Sequence, residues 1–381
     1  MSVIVCVGGR WHGLQSRRQQ FMLRFAEKEG HNVVFVEPSL SFGMKLRKRS
    51  DFVSPVFGYR SFSVSERMLV VSPPVALPLR HSSVCSQINH WRWARIVDTV
   101  LRKHKLCSTH CLWIYDPRWI SALPHLSHKT LVFDMVDDTP AEGYFGGKFM
   151  HCVSELLKRA DLVVFTSEKL VEKYGRFTSQ NALVPNGYCS DQFRMGILPK
   201  PCDFPVTQGP VAIHIGTLFK HLDYRRMLEI AQELHQQRGV LLLVGNHEPD
   251  TQNDFAILLN HPAVHWLGYK KHDQINAYVS NSSVALSVFS PGPVSDSVSP
   301  LKLYEYLGCG VPTIVQGLTS FRNDPLYEFV YDLDYQSVKD ALFRALTEQA
   351  DIKRNRAREA ERTASWDSRY SALRPFVENI L

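Results

Sequence analysis

Ser299-Pro300-Leu301-Lys302-Leu303-Tyr304-Glu305-Tyr306-Leu307-Gly308-Cys309-Gly310-Val311-Pro312 is the stretch on which the reading of this chain turns. Ser299 is a good N-cap, and Pro300 suits the first helical position, where a missing N–H costs nothing. Gly308 or Gly310 closes the helix, and Pro312 keeps it from resuming. A helix start offers open N–H groups and a partial positive charge, which together attract phosphate. Leu301 and Lys302 lie in that first turn, and Lys302 adds a full charge. Glu305, three residues on, projects from the same face as Lys302. A carboxylate there can accept two hydrogen bonds from a vicinal diol such as a ribose. The segment therefore outlines a nucleoside-diphosphate site. The plainer alternative is an ordinary amphipathic helix with Lys and Glu on a solvated face.

The surroundings of that helix are strands that stop at small polar turns. Val211–Ile215 ends at Gly216-Thr217, Val240–Val244 at Gly245-Asn246 and Val264–Leu267 at Gly268-Tyr269. Tyr224 to Gln236 and Asp273 to Val279 read as helices between them, Val284–Val288 and Thr313–Val315 as further strands. From Val338 the chain is helical, and 366–381 forms a last amphipathic helix. The same alternation fills the first half. Val3–Val7 ends at Gly8-Gly9, and Val33–Val36, Met68–Val71, Cys111–Tyr115, Leu131–Phe133, Leu162–Thr166 and Ala182–Val184 follow, with helices at Phe21–Glu29 and Phe149–Arg159. Short apolar strands alternating with helices indicate a parallel sheet covered on both faces. The fold class is thus α/β, with two doubly wound Rossmann-like domains facing across a cleft. The first domain is expected over 1–187, a Pro-rich linker over 188–209, the second domain over 210–365, and a final helix, 366–381, returning to the first. In such sheets ligands bind beyond the carboxyl ends of the strands. Gly8-Gly9, Asp137, Gly216-Thr217, Gly245-Asn246 and the Ser299 helix all fall at that edge.

A chain of 381 residues with 44% apolar and 21% charged residues is long enough for two cored domains. No apolar run approaches the roughly 18–20 residues needed to cross a bilayer. Met1 to Val7 lacks a basic leader and reads as a buried strand, so a cytoplasmic location is expected. The eight cysteines are scattered; Cys107, His110 and Cys111 lack a second half with metal spacing and read as buried thiols with a loop histidine. Residues 1–190 hold 25 Lys and Arg against 15 Asp and Glu, whereas the remainder holds 19 against 22. A basic first half points to an anionic partner there. Lys45, Arg47, Lys48 and Arg49, with Phe42, Met44, Leu46 and Phe52, could meet anionic lipid or a lipid diphosphate; a solvated basic loop is the alternative. No nucleic-acid-binding module is present, and nucleic acid is not expected as a partner.

With these residues in place, the chain resembles the GT-B glycosyltransferases. The resemblance rests on Val184-Pro185-Asn186-Gly187, Ile215-Gly216-Thr217 and residues 299–307, and it covers nearly the whole chain. Residues 17–20, 113–117 and 133–138 resemble the TuaH-like branch of bacterial cell-surface polysaccharide transferases and, more distantly, the GumK-like enzymes. The resemblance implies a nucleotide-sugar donor, UDP-linked by family breadth, and a saccharide or lipid-diphosphate-linked acceptor, with no cofactor. It places Lys302 on the donor diphosphate, Glu305 on the ribose, Gly216-Thr217 and Asn246 beside the donor with Ser299 and Leu301, and Gly8, Gly9, Arg10 and Trp11 beside the acceptor. Asp137 stands where the GumK-like enzymes carry a catalytic aspartate. One departure is plain: retaining members carry a glutamate eight residues before the Glu305 position, and here Ser297 stands there, beside Asp296.

Glycosyl transfer needs a base for the acceptor hydroxyl and charge stabilisation for the leaving diphosphate. Asp137 is the expected base, with Asp134 and Asp138 as competing neighbours; a base opposite the leaving group implies inversion, and no metal is demanded. His12, His214, His221 and His272 are alternatives, His214 being expected to pack inside its strand. Two rival functions use the same donor site: a sugar-nucleotide epimerase, and a non-catalytic nucleotide-sugar-binding subunit of a polysaccharide assembly complex. A dinucleotide dehydrogenase is disfavoured, because Gly8, Gly9 and Gly13 break the Gly-x-Gly-x-x-Gly spacing.

Overall fold

In the computed structural model, which describes residues 2–13, 16–39, 55, 57–77, 83–106, 110–138, 147–196 and 198–381, the chain forms two compact units. The basic and apolar segment at 42–52 and Cys107 lie outside the described residues. The first unit comprises Met1–Thr166, Leu170–Val184 and Tyr370–Leu381, and the second Ser167–Lys169 and Pro185–Arg369.

The first unit is built on an eight-stranded sheet. Its strands are β1 (Val3–Val7), β2 (Asn32–Val36), β3 (Arg60–Ser65), β4 (Met68–Ser72), β5 (His110–Ile114), β6 (His128–Met135), β7 (Leu162–Phe165) and β8 (Asn181–Leu183). They lie in the order β3-β4-β2-β1-β5-β6-β7-β8. All neighbours run parallel except β3 and β4, an antiparallel pair at one edge. Its helices are α1 (Arg17–Glu27), α2 (Ser83–Lys103), α3 (Gly147–Arg159) and α4 (Glu168–Tyr174). Alternate residues of one strand face opposite ways. Val3, Val5 and Val7 therefore join a core with Trp93 and Val97 of α2 and Leu156 of α3. On the other side Phe25 of α1 packs against Trp113, ring centroids 5.4 Å apart, and against Tyr370 at 5.1 Å. His110 is a strand residue in β5, 2% exposed, and not the loop histidine that the sequence suggests.

The second unit carries a six-stranded, wholly parallel sheet. Its strands are β9 (Val211–Ile215), β10 (Val240–Val244), β11 (Val264–Trp266), β12 (Val284–Val288), β13 (Thr313–Gln316) and β14 (Val330–Asp332), ordered β11-β10-β9-β12-β13-β14. Its helices are α5 (Tyr224–Gln236), α6 (Gln252–Leu259), α7 (His272–Ser280), α8 (Pro293–Ser297), α9 (Leu301–Gly308), α10 (Val338–Leu346), α11 (Ala350–Ala364) and α12 (Trp366–Val377), whose later residues belong to the first unit. β9, β10 and β12 are buried along their whole length, as strands covered on both faces must be. The order reverses between β9 and β12, each followed by chain on opposite sides, so the carboxyl ends of these strands form a switch point where α/β sheets receive ligands. Residues 188–209 belong to this unit; Tyr188, Phe193 and Phe204 are buried in its core, so this stretch is packed chain and not a free linker.

Candidate active site

In the second unit three strand-end turns are knitted together. Gly216 N–H donates to Val244 O, Gly245 N–H to Gly268 O and Leu218 N–H to Asn246 O, at 2.9, 2.8 and 2.8 Å. Gly245 has φ +146°, and a Cβ there would lie 2.0 Å from the Gly216 carbonyl oxygen. Only glycine allows that approach. Gly216, Thr217 and Asn246 are exposed at this edge, and Trp266, whose Nε1–H donates to Gly245 O at 2.8 Å, backs the turns.

Helix α9 begins at Leu301, not at Pro300, and no side chain caps it. Ser299 is a correction to the sequence reading. Its Oγ accepts from Asn186 N–H at 3.1 Å, and Asn186 Nδ2 donates to Ser299 O at 2.7 Å, so Ser299 ties the 184–187 segment to the helix entry. Leu303 N–H turns back on Pro300 O at 3.2 Å, and no side chain takes the N–H groups ahead of it, which preserves the positive end of the helix. Lys302 is partly buried, with Nζ 3.3 Å from His214 Nε2 and 5.3 Å from the centroid of the Phe289 ring. A Cβ on Gly216 would lie 3.7 Å from that Nζ, so the lysine reaches the first of the three turns. Burial lowers Lys302 to about 7, with Glu305 opposing the shift. His214 is fully buried, and desolvation and the Lys302 charge hold it well below the usual imidazole range. Glu305 is 6% exposed, and its Oε1 lies 2.8 Å from His272 Nε2. Ser297 bonds back to the carbonyl oxygens of Pro293 and Val294, and Asp296 accepts from Thr319 Oγ1. Ser297 brings no carboxylate to its position, and one oxygen of the neighbouring Asp296 carboxylate is taken by Thr319.

The three aspartates at 134, 137 and 138 separate cleanly. Asp134 is fully buried and accepts from Arg17 Nε at 2.8 and 3.0 Å, while Arg17 Nη1 donates to Val184 O. Asp138 accepts from Lys173 Nζ at 2.6 Å and from Tyr174 Oη at 2.8 Å. Both are structural. Asp137 is exposed and has no hydrogen-bonding partner among the described residues. It lines a small cavity, about 60 Å³, with Arg18, Tyr115, Pro117, Phe133, Met135, Val136 and Val153. Its side chain reaches solvent, yet the surrounding protein displaces enough water to raise its carboxyl above the ordinary range, an effect that the Arg18 charge partly offsets.

Arg18 was not among the site residues read from the sequence. Its guanidinium lies 5.3 Å from the centroid of the Tyr115 ring, and Nη1 presses on the first strand-end turn so closely that a Cβ on Gly9 would be 2.4 Å away. Gly8 is buried and Gly9 half-buried at that turn. Trp11 is 5% exposed and packs edge-on against Phe35 at 5.2 Å, with its N–H donating to Glu37 Oε1 at 2.8 Å. Gln19 Nε2 donates to Arg10 O at 2.7 Å. Arg10 is half-buried; Trp11 anchors the turn from inside and presents little surface to a ligand. No group of three metal-ligating side chains occurs among the described residues.

No family model matches the chain. Among curated proteins, the chain is 29% identical over 126 residues, which is 32% of its length, to the "Putative teichuronic acid biosynthesis glycosyltransferase TuaH" of Bacillus subtilis (strain 168). The matched stretch spans 31% of that protein, under a third of its length. Solved structures match throughout. The E. coli structure described as trehalose-6-phosphate bound with UDP-2-fluoro glucose aligns with TM-score 0.71 at 12% identity, covering 100% of this chain and 99% of the other. A sucrose-phosphate synthase from Thermosynechococcus elongatus aligns with TM-score 0.68 at 13% identity over 100% and 99%. A UDP-forming α,α-trehalose-phosphate synthase from Burkholderia vietnamiensis gives 0.66 at 11% over 100% and 99%. The two doubly wound sheets, the knitted turns at β9 and β10, and these whole-chain alignments give one answer: the chain has the GT-B fold.

Proposed function

We propose that this chain is a glycosyltransferase that moves a sugar from a nucleoside-diphosphate sugar to a saccharide or lipid-linked acceptor in cell-surface polysaccharide synthesis. The observation that carries this reading is the convergence of Lys302 on the Gly216 turn beside the uncapped start of α9. A cation, open N–H groups and a close-lying backbone are what a leaving diphosphate requires. UDP is the favoured nucleotide, in keeping with the UDP-forming synthase and the UDP-2-fluoro glucose complex among the structural relatives. The link to polysaccharide synthesis follows the name of the teichuronic acid protein; a place in the cytoplasm, at the inner membrane face, is part of the same proposal. Among the described residues, no helix is long and apolar enough to cross a membrane.

Asp137 is the proposed base. The acceptor oxygen bonds to C1 of the donor sugar as its proton passes to Asp137. The bond from C1 to the phosphate oxygen breaks, and its electron pair leaves with the diphosphate. Lys302 and the α9 N-terminus stabilise that charge without a metal. A base on the face opposite the leaving group gives inversion; Ser297, bonded back to its own helix, brings no carboxylate, and Asp296 is held by Thr319, which supports this over retention.

The test pairs thermal unfolding with product analysis. UDP, GDP and dTDP are added separately to wild type and to Asp137→Asn, and nucleoside-diphosphate release is then followed with the matching nucleotide sugars. One nucleotide should stabilise both proteins; near 100 times its Kd the gain is about 2.7 kcal/mol. Transfer should fall by at least about 10²-fold in the variant. In wild type the acid limb of the rate profile should lie above the ordinary carboxylate range, because the Asp137 carboxyl is raised and must be ionised to act. Turnover retained in Asp137→Asn removes it as base. An altered nucleotide sugar formed without acceptor identifies an epimerase instead.

A further inference from the structure

Arg17 and Arg18 are consecutive, and their fates differ. Arg17 is neutralised by Asp134 inside the core. Arg18 forms no hydrogen bond or ion pair among the described residues; its guanidinium rests on the Tyr115 ring and against Gly9. Asp137 is likewise unpartnered, although it lines the same cavity. Two opposite charges on one small cavity would ordinarily collapse into a pair, as Arg17 and Asp134 do. Here they stay apart, held by the aromatic platform and the glycine turn on one side and by the end of β6 on the other. Such a separation suits a ligand that presents two different groups at once. Arg18 offers a planar fork of donors for an oxyanion, and Asp137 offers a hydrogen-bond acceptor for a hydroxyl. The cavity, about 60 Å³, has room for a phosphate- or carboxylate-sized group.

We propose that the acceptor is an anionic sugar: Arg18 seats its phosphate or carboxylate in this cavity while Asp137 receives the proton of the attacking hydroxyl. The proposal rests on the glycosyl-transfer reading above and names the substrate class of that same site. It assigns Arg18 to substrate selection, and it accounts for a guanidinium with no carboxylate paired to it among the described residues. The basic balance of the first half of the chain favours approach of such an acceptor.

The full-length protein would be titrated calorimetrically with inorganic phosphate, glucuronate and glucose, at constant ionic strength. Saturating UDP, GDP or dTDP, whichever binds, would occupy Lys302. Phosphate or glucuronate should bind at least ten-fold more tightly than glucose; the stronger of the two tells a phosphorylated acceptor from a uronate. Arg18→Gln should weaken the anion at least ten-fold and leave the nucleotide affinity unchanged. Arg18→Lys, which keeps the charge and the fold but not the fork, should weaken it a few-fold. Asp137→Asn should bind the anion at least as well as wild type, since a like charge is gone. Anion affinity unchanged in both Arg18 variants, or glucose bound as tightly as the anions, overturns the proposal. Loss of all nucleotide binding in wild type would instead sink the glycosyl-transfer reading, and the anion titration run without nucleotide would still decide the role of Arg18.

Discussion

Lys302 is placed where its charge is costly until a ligand arrives. The nearest polar neighbours are His214 from β9 and, on its own helix, Glu305, which is engaged by His272 of α7. With the ammonium near 7 in the free protein, a diphosphate bound as proposed would restore the charged form and draw a proton in. The sign follows. Below pH 7 the lysine is already charged and donor affinity is flat on this account. Above 7 binding must take up a proton, and affinity falls by up to about ten-fold per pH unit. Calorimetry of UDP binding at pH 8.5 in buffers of different ionisation enthalpy should show uptake approaching one proton, and Lys302→Met should abolish both binding and uptake. The same variant should raise the stability of the free protein by on the order of 1 kcal/mol, as removal of an unfavourably buried charge does. A variant that binds UDP with unchanged pH dependence would take Lys302 out of the site. The Lys302 and Glu305 pair was legible from their own spacing. Their partners were not: His214 lies 88 residues from Lys302 and His272 lies 33 from Glu305, and only the sheet topology joins them. Arg18 was hidden for the same reason, since β1, β5 and β6 are neighbours in space alone.

At the scale of elements, the turns after β9 and β10 matter as much as the helix they face. A methyl group on Gly245 would collide with the Gly216 carbonyl, and its φ of +146° is closed to other residues. Gly245→Ala should therefore cost about 2 kcal/mol or more and push the two turns apart. Denaturant unfolding should show the loss, and the UDP Kd should rise more than stability alone explains. A variant as stable as wild type with unaltered UDP affinity would show the turns are not coupled in this way. Elements bounded by glycine and made of unbroken apolar residues, such as β9, β10 and β12, were readable because both faces are buried and nothing else satisfies that pattern. Ser299 misled because a serine before a proline looks like a cap, while tertiary structure spends its hydroxyl on Asn186. Helix α2 escaped notice for a clearer reason. Trp93, Ala94 and Val97 face the core, yet Val84, Ile88 and Trp91 are exposed, so apolar residues ring the helix and blur the 3.6-residue stripe. Strand β3 is an exposed edge, and β14 spans only Val330–Asp332; neither carries the buried run that marks a strand.

At the scale of the whole molecule, one helix belongs to two units. Residues up to Arg369 are counted with the second, and Tyr370–Leu381 with the first. Arg369 Nε donates to Asn186 O at 3.0 Å within the second unit, and the next residue, Tyr370, is 3% exposed against Phe21 and Phe25 of α1. The sequence marked 366–381 as amphipathic, but amphipathicity alone does not say which core receives its apolar face. Tyr370 covers Phe21 and Phe25, the part of α1 that follows Arg18, so its loss should loosen the first unit selectively. Tyr370→Ala should cost roughly 3 kcal/mol, the usual range for deleting a buried ring. Hydrogen exchange should then quicken in α1 and β1, while amides of β9, β10 and β12 keep their protection. UDP should still stabilise the second unit, because Lys302 and Glu305 belong to that unit and Tyr370 to the first. Exchange that rises equally in both units would show instead that they unfold as one cooperative body, and the second unit could not then be treated as stable on its own terms.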